Sequence, residues 1–192
     1  MCKSLSKQGE IKYPYAVGTD EYICFSANDS AVLLSSRSKQ FITTFKLNSP
    51  LKCATFSKDA SKLITGTTDG EVYIWDLRSR KCMHRFTDEG STGVNSIAIS
   101  PDESILTTIS KAGVTNIYDY SSVLGSTDPV PRKSLMNLTT HGSYCKFNHD
   151  SQLLGISSDY MHSQIRLVCF SFLNFILFYF ILFYFILFIN FP

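Results

Sequence analysis

The last 24 residues of this 192-residue chain carry no charge and no histidine. All 18 Lys and Arg and all 16 Asp and Glu lie at or before Arg166, whereas nine of the 15 Phe lie beyond it. Residues 1–168 therefore read as an ordinary polar and apolar mixture, and residues 169–192 as a separate apolar segment. The formal charge of +2 is too small to make bulk attraction to nucleic acid or anionic membrane the binding principle. The six cysteines, Cys2, Cys24, Cys53, Cys82, Cys145 and Cys169, contain no C-x-x-C pair. Most fall inside apolar runs, so they are expected as reduced, buried thiols of an intracellular protein rather than a disulfide or metal set. The N-terminus lacks the apolar stretch of a secretory signal. The Asn28-Asp29-Ser30 and Asn137-Leu138-Thr139 glycosylation patterns are accordingly chance matches.

Catalytic motifs are missing as well. There is no G-x-G-x-x-G, P-loop, H-E-x-x-H or G-x-S-x-G. The four histidines, His84, His141, His149 and His162, show no ligand spacing with another His or Cys. His149-Asp150 resembles an acid/base pair, but its place in a recurring turn makes it structural. No catalytic residue, cofactor site or metal site is expected, and no small-molecule substrate.

What is present is a strand pattern. In Thr68-Asp69-Gly70-Glu71-Val72-Tyr73-Ile74-Trp75-Asp76-Leu77, Asp69-Gly70 is a hairpin signal, because glycine accepts the positive φ of a tight turn. Val72 to Trp75 is wholly apolar, β-branched and aromatic, which predicts a strand covered on both faces. Arg78-Ser79-Arg80 makes a second turn, and Lys81 to Phe86 alternates like an outer strand. A turn, a covered strand ending in Trp-Asp, a basic turn and an alternating strand form the second half of a WD-repeat propeller blade.

The device recurs. Phe56-Ser57-Lys58-Asp59, Ile99-Ser100-Pro101-Asp102 and Phe147-Asn148-His149-Asp150 each close one strand and turn towards another, with a weaker copy at Val17-Gly18-Thr19-Asp20. Asp20, Asp59, Asp102 and Asp150 are 39, 43 and 48 residues apart, close to the period of about 40–45 for a four-stranded blade. The long third spacing contains a polar inserted loop at 121–132 with Gly125, Pro129 and Pro131. Tyr118-Asp119 stands where Trp75-Asp76 stands one blade earlier. No segment before the tail has a helical period.

The predicted fold is all-β: a partial propeller over 1–168 with blades near 12–46, 51–86, 94–138 and 143–168, the last with three strands only. Closed propellers have four to eight blades, so the chain is expected to be part of a larger one. The structural blade positions are Asp20, Asp59, Thr65, Asp69, Gly70, Trp75, Asp76, Asp102, Asp119 and Asp150. Asp69, Thr65 and Trp75 are expected to form one internal hydrogen-bond set. Arg78, Arg80, Lys81 and Arg85 form the candidate contact surface; Asp88 and Glu89 follow directly, which favours a plain solvated turn.

In the tail, Phe175-Ile176-Leu177-Phe178-Tyr179 repeats as Phe180-Ile181-Leu182-Phe183-Tyr184. The uncharged stretch is long enough to span a bilayer as a helix, flanked by Arg166. A five-residue repeat built from residues with A- and T-only codons also reads as a short DNA repeat seen through translation. The favoured expectation is read-through of a non-coding stretch, and a membrane anchor is the alternative.

The run Asp69–Asp76, then Ser79-Arg80-Lys81-Cys82 and Arg85-Phe86-Thr87-Asp88-Glu89-Gly90-Ser91, is more specific than a generic blade. With Val114-Thr115-Asn116-Ile117-Tyr118, Met136-Asn137-Leu138-Thr139 and Ile165-Arg166-Leu167-Val168, it resembles the WD-repeat family of the U-three small nucleolar RNA-associated protein 18, over about residues 20–168. The resemblance implies a seven-bladed nucleolar scaffold of the small-subunit processome, acting in ribosomal RNA precursor processing and small-subunit biogenesis. Its implied partners are the other WD-repeat proteins of the UtpB subcomplex and, within that particle, precursor ribosomal RNA and U-three small nucleolar RNA. The family's N-terminal extension, which recruits an exosome-linked helicase, is not expected in this chain, so helicase recruitment is not assigned to it, and the resemblance implies no catalytic residue. The alternatives are a WD-repeat adaptor of another assembly, such as a ubiquitin-ligase receptor, and a tail-anchored WD-repeat protein.

Overall fold

A computed structural model describes residues 16–136, 141–160, 164–170 and 176–181. It contains four four-stranded antiparallel sheets. The first holds β1 (Ala16–Gly18), β2 (Tyr22–Ala27), β3 (Ser30–Ser35) and β4 (Phe41–Lys46). The second holds β5 (Leu51–Phe56), β6 (Lys62–Thr67), β7 (Glu71–Asp76) and β8 (Lys81–Thr87). The third holds β9 (Val94–Ile99), β10 (Ile105–Ser110), β11 (Thr115–Asp119) and, after helix α1 (Tyr120–Gly125), β12 (Lys133–Leu135). The fourth holds β13 (Tyr144–Phe147), β14 (Leu153–Ser158), β15 (Gln164–Cys169) and β16 (Ile176–Ile181). Each sheet is a meander in chain order, and the first strands β1, β5, β9 and β13 touch in series. That is the inner wall of a propeller arc.

The period-2 geometry of a strand explains the packing. Leu63, Tyr73 and Trp75 of the second sheet face Leu33, Phe45 and Leu47 of the first. Ile64, Val72 and Ile74, one step out of phase, face Val94, Ile97, Leu106 and Tyr118 of the third. Ile109, Ile117 and Leu135 in turn meet Phe147, Leu154 and Val168 of the fourth. Val72 to Trp75 is thus buried along its whole length, as its unbroken apolar run predicts. Trp75 stacks on Phe45 and Tyr73, with ring centroids 4.6 and 5.6 Å away.

Three features differ from the sequence expectation. The loop at 121–132 opens with helix α1, whose Tyr120 and Val123 join the core between the second and third sheets. Six residues are too few for a periodicity to register. The fourth blade has four strands rather than three, because Ile176–Ile181 of the tail pairs with β15, from Cys169↔Ile176 to Gln164↔Ile181. That stretch is therefore strand rather than helix. Ile, Phe and Tyr favour the pleated state, and β15 offers an open edge of backbone donors and acceptors. Among the described residues no helix is long and apolar enough to cross a membrane. The expected strand positions 12–15 and 136–138 lie wholly or partly outside the described residues, as do Cys2 and His162.

The recurring corner has one backbone form. The amide N–H groups of Ala60, Glu103 and Ser151 donate to the carbonyls of Ser57, Ser100 and Asn148 at 3.0, 2.8 and 3.3 Å. All three residues have φ of 52–60°, a region that costs an L-residue about 1–2 kcal/mol. Two of them link blades: Glu103 Oε1 accepts from the Lys58 N–H at 2.7 Å, and Ser151 Oγ from the Asp102 N–H at 3.1 Å. Ala60 has no such side-chain role, so Ala60→Gly is expected to stabilise the chain by about 0.5–1 kcal/mol in urea unfolding. Glu103→Gly is expected to destabilise it, because the inter-blade acceptor is lost.

Candidate functional site

The antiparallel meander gives each sheet two ends. One carries the corners 57–61 and 100–104 and the turn 77–80; the other carries the β6–β7 and β10–β11 hairpins and the connections between blades. Arg78, Arg80 and Lys81 of the predicted contact surface sit at the corner end, whereas Arg85, opposite Tyr73, lies nearer the hairpin end. Arg78, Arg80, Lys81 and Arg85 are exposed on the β7–β8 turn and outermost strand, and Asp76 Oδ1 accepts from the Arg78 N–H at 2.9 Å.

The predicted hydrogen-bond set divides. Trp75 Nε1–H donates to Thr65 Oγ1 at 3.0 Å, with both residues buried. Asp69 is not part of that set. It is exposed at the hairpin tip, where its carboxylate accepts from Thr68 Oγ1 at 3.3 Å. Gly70 beside it has φ +89°, the conformation the hairpin requires. Asp119 makes an exposed ion pair with Arg132 at 3.5 Å, and Asp150 lies 2.9 Å from His149 Nε2, an ion pair only when that imidazole is protonated; contacts so open to solvent contribute little. Asp20 is exposed in the first corner.

Asp59 and Asp102 tie their corners. Asp59 Oδ1 accepts from Ser57 Oγ, Ser61 N–H and Ser61 Oγ at 2.6, 3.0 and 2.8 Å. The Ser57 and Ser61 bonds hold its pKa at about 2, below the ordinary 3.8. At Asp102 partial burial pushes upward, but Ser100 and Ser104 outweigh it and leave the pKa at about 2. A depressed native pKa contributes stability above the ordinary value and loses it as pH falls through the native one. Urea midpoints of the chain are therefore expected to fall between about pH 4 and 2, less steeply in Asp59→Asn/Asp102→Asn. The effect is small, because both carboxylates are solvent-screened.

The largest buried polar assembly was not anticipated. Asp88 Oδ1 accepts from Thr108 Oγ1 at 2.7 Å, Asn116 Nδ2 at 3.0 Å and Tyr118 Oη at 2.8 Å. Asn116 Nδ2 also donates to the Glu89 carbonyl at 2.7 Å, and Tyr118 Oη accepts from the Glu89 N–H at 3.3 Å. The connection leaving the second sheet is thus bolted to the middle of the third. Burial pushes the Asp88 pKa up, against the pull of Thr108, Asn116, Tyr118 and Ser91. Burial, with the Asp88 charge added, also raises that of Tyr118. Burial likewise raises Cys24 and Cys145 to about 12 and lifts Cys53, so these thiols stay protonated and inert. Cys82, in contrast, is exposed on β8.

At the hairpin end an open cleft of about 470 Å³ spans the second, third and fourth sheets. Equivalent positions build it. Lys52 and Asn95 come from the second residues of β5 and β9, and Thr68, Lys111 and Asp159 directly follow β6, β10 and β14. Asn95 Nδ2 donates to the Gly142 carbonyl at 2.8 Å. Ser143 Oγ donates to the Asp159 carboxylate and accepts from the Asp159 N–H at 3.1 Å. Tyr160 meets His141 edge to face, with centroids 5.0 Å apart. Sequence reading missed this site because its residues are spread over more than a hundred positions and only the blade register unites them.

The family described as WD domain, G-beta repeat matches residues 39–76 and 80–119, which lie within the described sheets. The U3 small nucleolar RNA-associated protein 18 homolog of Mus musculus is 42% identical over 150 residues. The chain belongs to this WD-repeat family. The alignment takes in 76% of the chain and 27% of the mouse protein, so the chain spans about a quarter of the length of its curated relative. The Arabidopsis thaliana homolog is 37% identical over 147 residues, 76% of the chain and 27% of that protein. A more distant match is the target of rapamycin complex subunit LST8 of Mus musculus, 28% identical over 127 residues, 65% of the chain and 39% of that protein. Among solved structures, a chain of the mitotic checkpoint complex superposes with a TM-score of 0.68 at 13% identity, covering 82% of this chain and 48% of that one. This last likeness concerns the fold alone.

Proposed function

We propose that this member of the U3 small nucleolar RNA-associated protein 18 family is a non-catalytic scaffold in precursor ribosomal RNA processing and small-subunit biogenesis. Its place is the nucleolar small-subunit processome, with the WD-repeat proteins of the UtpB subcomplex as neighbours. The observation that carries the reading is the 42% identity to the curated mouse relative across the blades. Rigid geometry supports it: successive blades are joined at the corner end by the Lys58–Glu103 and Asp102–Ser151 bonds and at the hairpin end by the Asp88 assembly. Among the described residues no group of His, Cys, Asp and Glu is arranged to hold a metal ion.

An affinity-tagged full chain, expressed in cells and resolved on a glycerol gradient, tests the proposal. It is expected to co-sediment with U3 small nucleolar RNA and precursor ribosomal RNA and to concentrate in the nucleolus. Sedimentation as a free protein with diffuse location would overturn it. Recovery with an assembly lacking both RNAs would favour a WD-repeat adaptor, the reading to which the 28% identity to the LST8 subunit lends support.

A further inference from the structure

We infer that the hairpin-end cleft takes a short single-stranded RNA segment, its phosphates on Lys52 and Lys111 and a base on the ring of Tyr160. The inference deepens the scaffold reading and rests on it. Its own support is chemical. Two ammonium groups from different blades border one cleft, and lysine is a strongly hydrated point charge suited to a phosphodiester rather than a planar carboxylate fork. Tyr160 and Tyr144 are 54% and 66% exposed at the same cleft. Bare aromatic faces beside cations are how single-stranded nucleic acid is held without sequence preference.

The rest of the site fits that ligand. His141 braces Tyr160 edge-on and limits its rotation, which leaves a ring face for stacking. The lining holds two lysines against one carboxylate, Asp159, which accepts from Ser143 Oγ, so its formal balance is positive. An acidic peptide would satisfy the lysines but leave the tyrosines without a flat partner. Arg78 and Arg80 lie at the opposite end of the sheets from the cleft and so serve as the control surface.

Fluorescence anisotropy of the full chain with a fluorescein-labelled, mixed-sequence single-stranded RNA of about ten nucleotides tests the inference. Tyr160→Ala is expected to weaken binding by about fivefold or more, and Tyr160→Phe, which keeps the ring, to leave it within about twofold. Lys111→Glu is expected to weaken it about tenfold and to lower the slope of log affinity against log salt by about 0.7. Arg78→Ala/Arg80→Ala is expected to have little effect. All four positions are exposed, so unchanged melting temperatures will separate lost binding from lost folding. Unaltered affinity in both Tyr160→Ala and Lys111→Glu, absence of RNA binding, or tighter binding of a glutamate-rich peptide would each overturn the inference. If the RNA fails to bind while the tagged chain still co-sediments with U3 small nucleolar RNA, the cleft assignment falls and the scaffold reading stands. If co-sedimentation fails while cleft-dependent RNA binding persists, the scaffold reading falls.

Discussion

Replacing Asp88 by alanine is expected to lower the unfolding free energy by about 3–5 kcal/mol. Three donors, Thr108 Oγ1, Asn116 Nδ2 and Tyr118 Oη, converge on one of its oxygens inside the contact between the second and third sheets. Removing the carboxylate strands donors where water does not readily reach them, at about 1–3 kcal/mol for each left unpaired. Asn116 and Tyr118 keep their bonds with Glu89, which restrains the total. The desolvation of a buried carboxylate, visible in its raised pKa, offsets a further part.

The variant Asp88→Asn should lose less, about 1–2 kcal/mol, because its amide oxygen can take the place of Oδ1, where the three donors converge, but accepts more weakly than a carboxylate. Urea unfolding followed by the fluorescence of Trp75, the single tryptophan, measures both. A loss below about 1 kcal/mol in Asp88→Ala would mean that the assembly does not hold the two sheets together. The pH dependence supplies an independent sign. With its native pKa raised, Asp88 contributes stability fully present below 3.8 and lost as pH rises through the native value. That is opposite to Asp59 and Asp102, so Asp88→Asn should remove a fall in stability with rising pH above about pH 4.

Asp88 also marks the limit of what the residues alone reveal. Read along the chain, it follows a basic strand and precedes Glu89 and Gly90, the pattern of an exposed acidic turn. Its burial is decided by partners 20, 28 and 30 residues downstream, each unremarked as a separate letter. Val72 to Trp75 was legible because its environment is local: an unbroken apolar run requires cover on both faces wherever the neighbours come from. The corners were legible because they repeat, and repetition identified Asp59 and Asp102 as turn residues. Asp69 was placed in the right turn and the wrong network, since proximity along a hairpin says nothing about which way a carboxylate leans. Helix α1 escaped because two buried residues, Tyr120 and Val123, are too few to define a period. Lys52, Lys111 and Tyr160 each look like an ordinary surface residue until the stagger of three blades places them around one opening.

Gly93→Ala is the second large effect, expected at about 3–4 kcal/mol. Gly93 lies at φ +148° in the connection from the second to the third sheet. A β-carbon there would stand 2.4 Å from the carbonyl oxygen of Thr68. That obstacle is backbone and cannot rotate aside. The Thr68 N–H is bonded to the Pro50 carbonyl at 3.1 Å, and the Gly93 carbonyl accepts from the Lys111 N–H at 2.8 Å. Relief would therefore have to move two anchored turns. Two other glycines calibrate the argument. At Gly66 a β-carbon would meet Cys53 Sγ, Val94 Cγ1 and Ile97 Cδ1 at 2.8–2.9 Å. Those are side-chain rather than backbone atoms, buried in the core, so Gly66→Ala should carry an overpacking cost of about 1–3 kcal/mol. Gly90 has φ +65° and no atom within 4 Å of the added carbon, so Gly90→Ala should cost only the conformational strain, about 1 kcal/mol. The expected order in urea midpoint is Gly90→Ala above Gly66→Ala above Gly93→Ala, and equal midpoints for the first and last would refute the close approach of the turns. Because Gly93 and Thr68 both border the cleft, the wedge that destabilises Gly93→Ala should also part its walls. Weakened RNA binding at temperatures where this variant remains folded is the expected consequence.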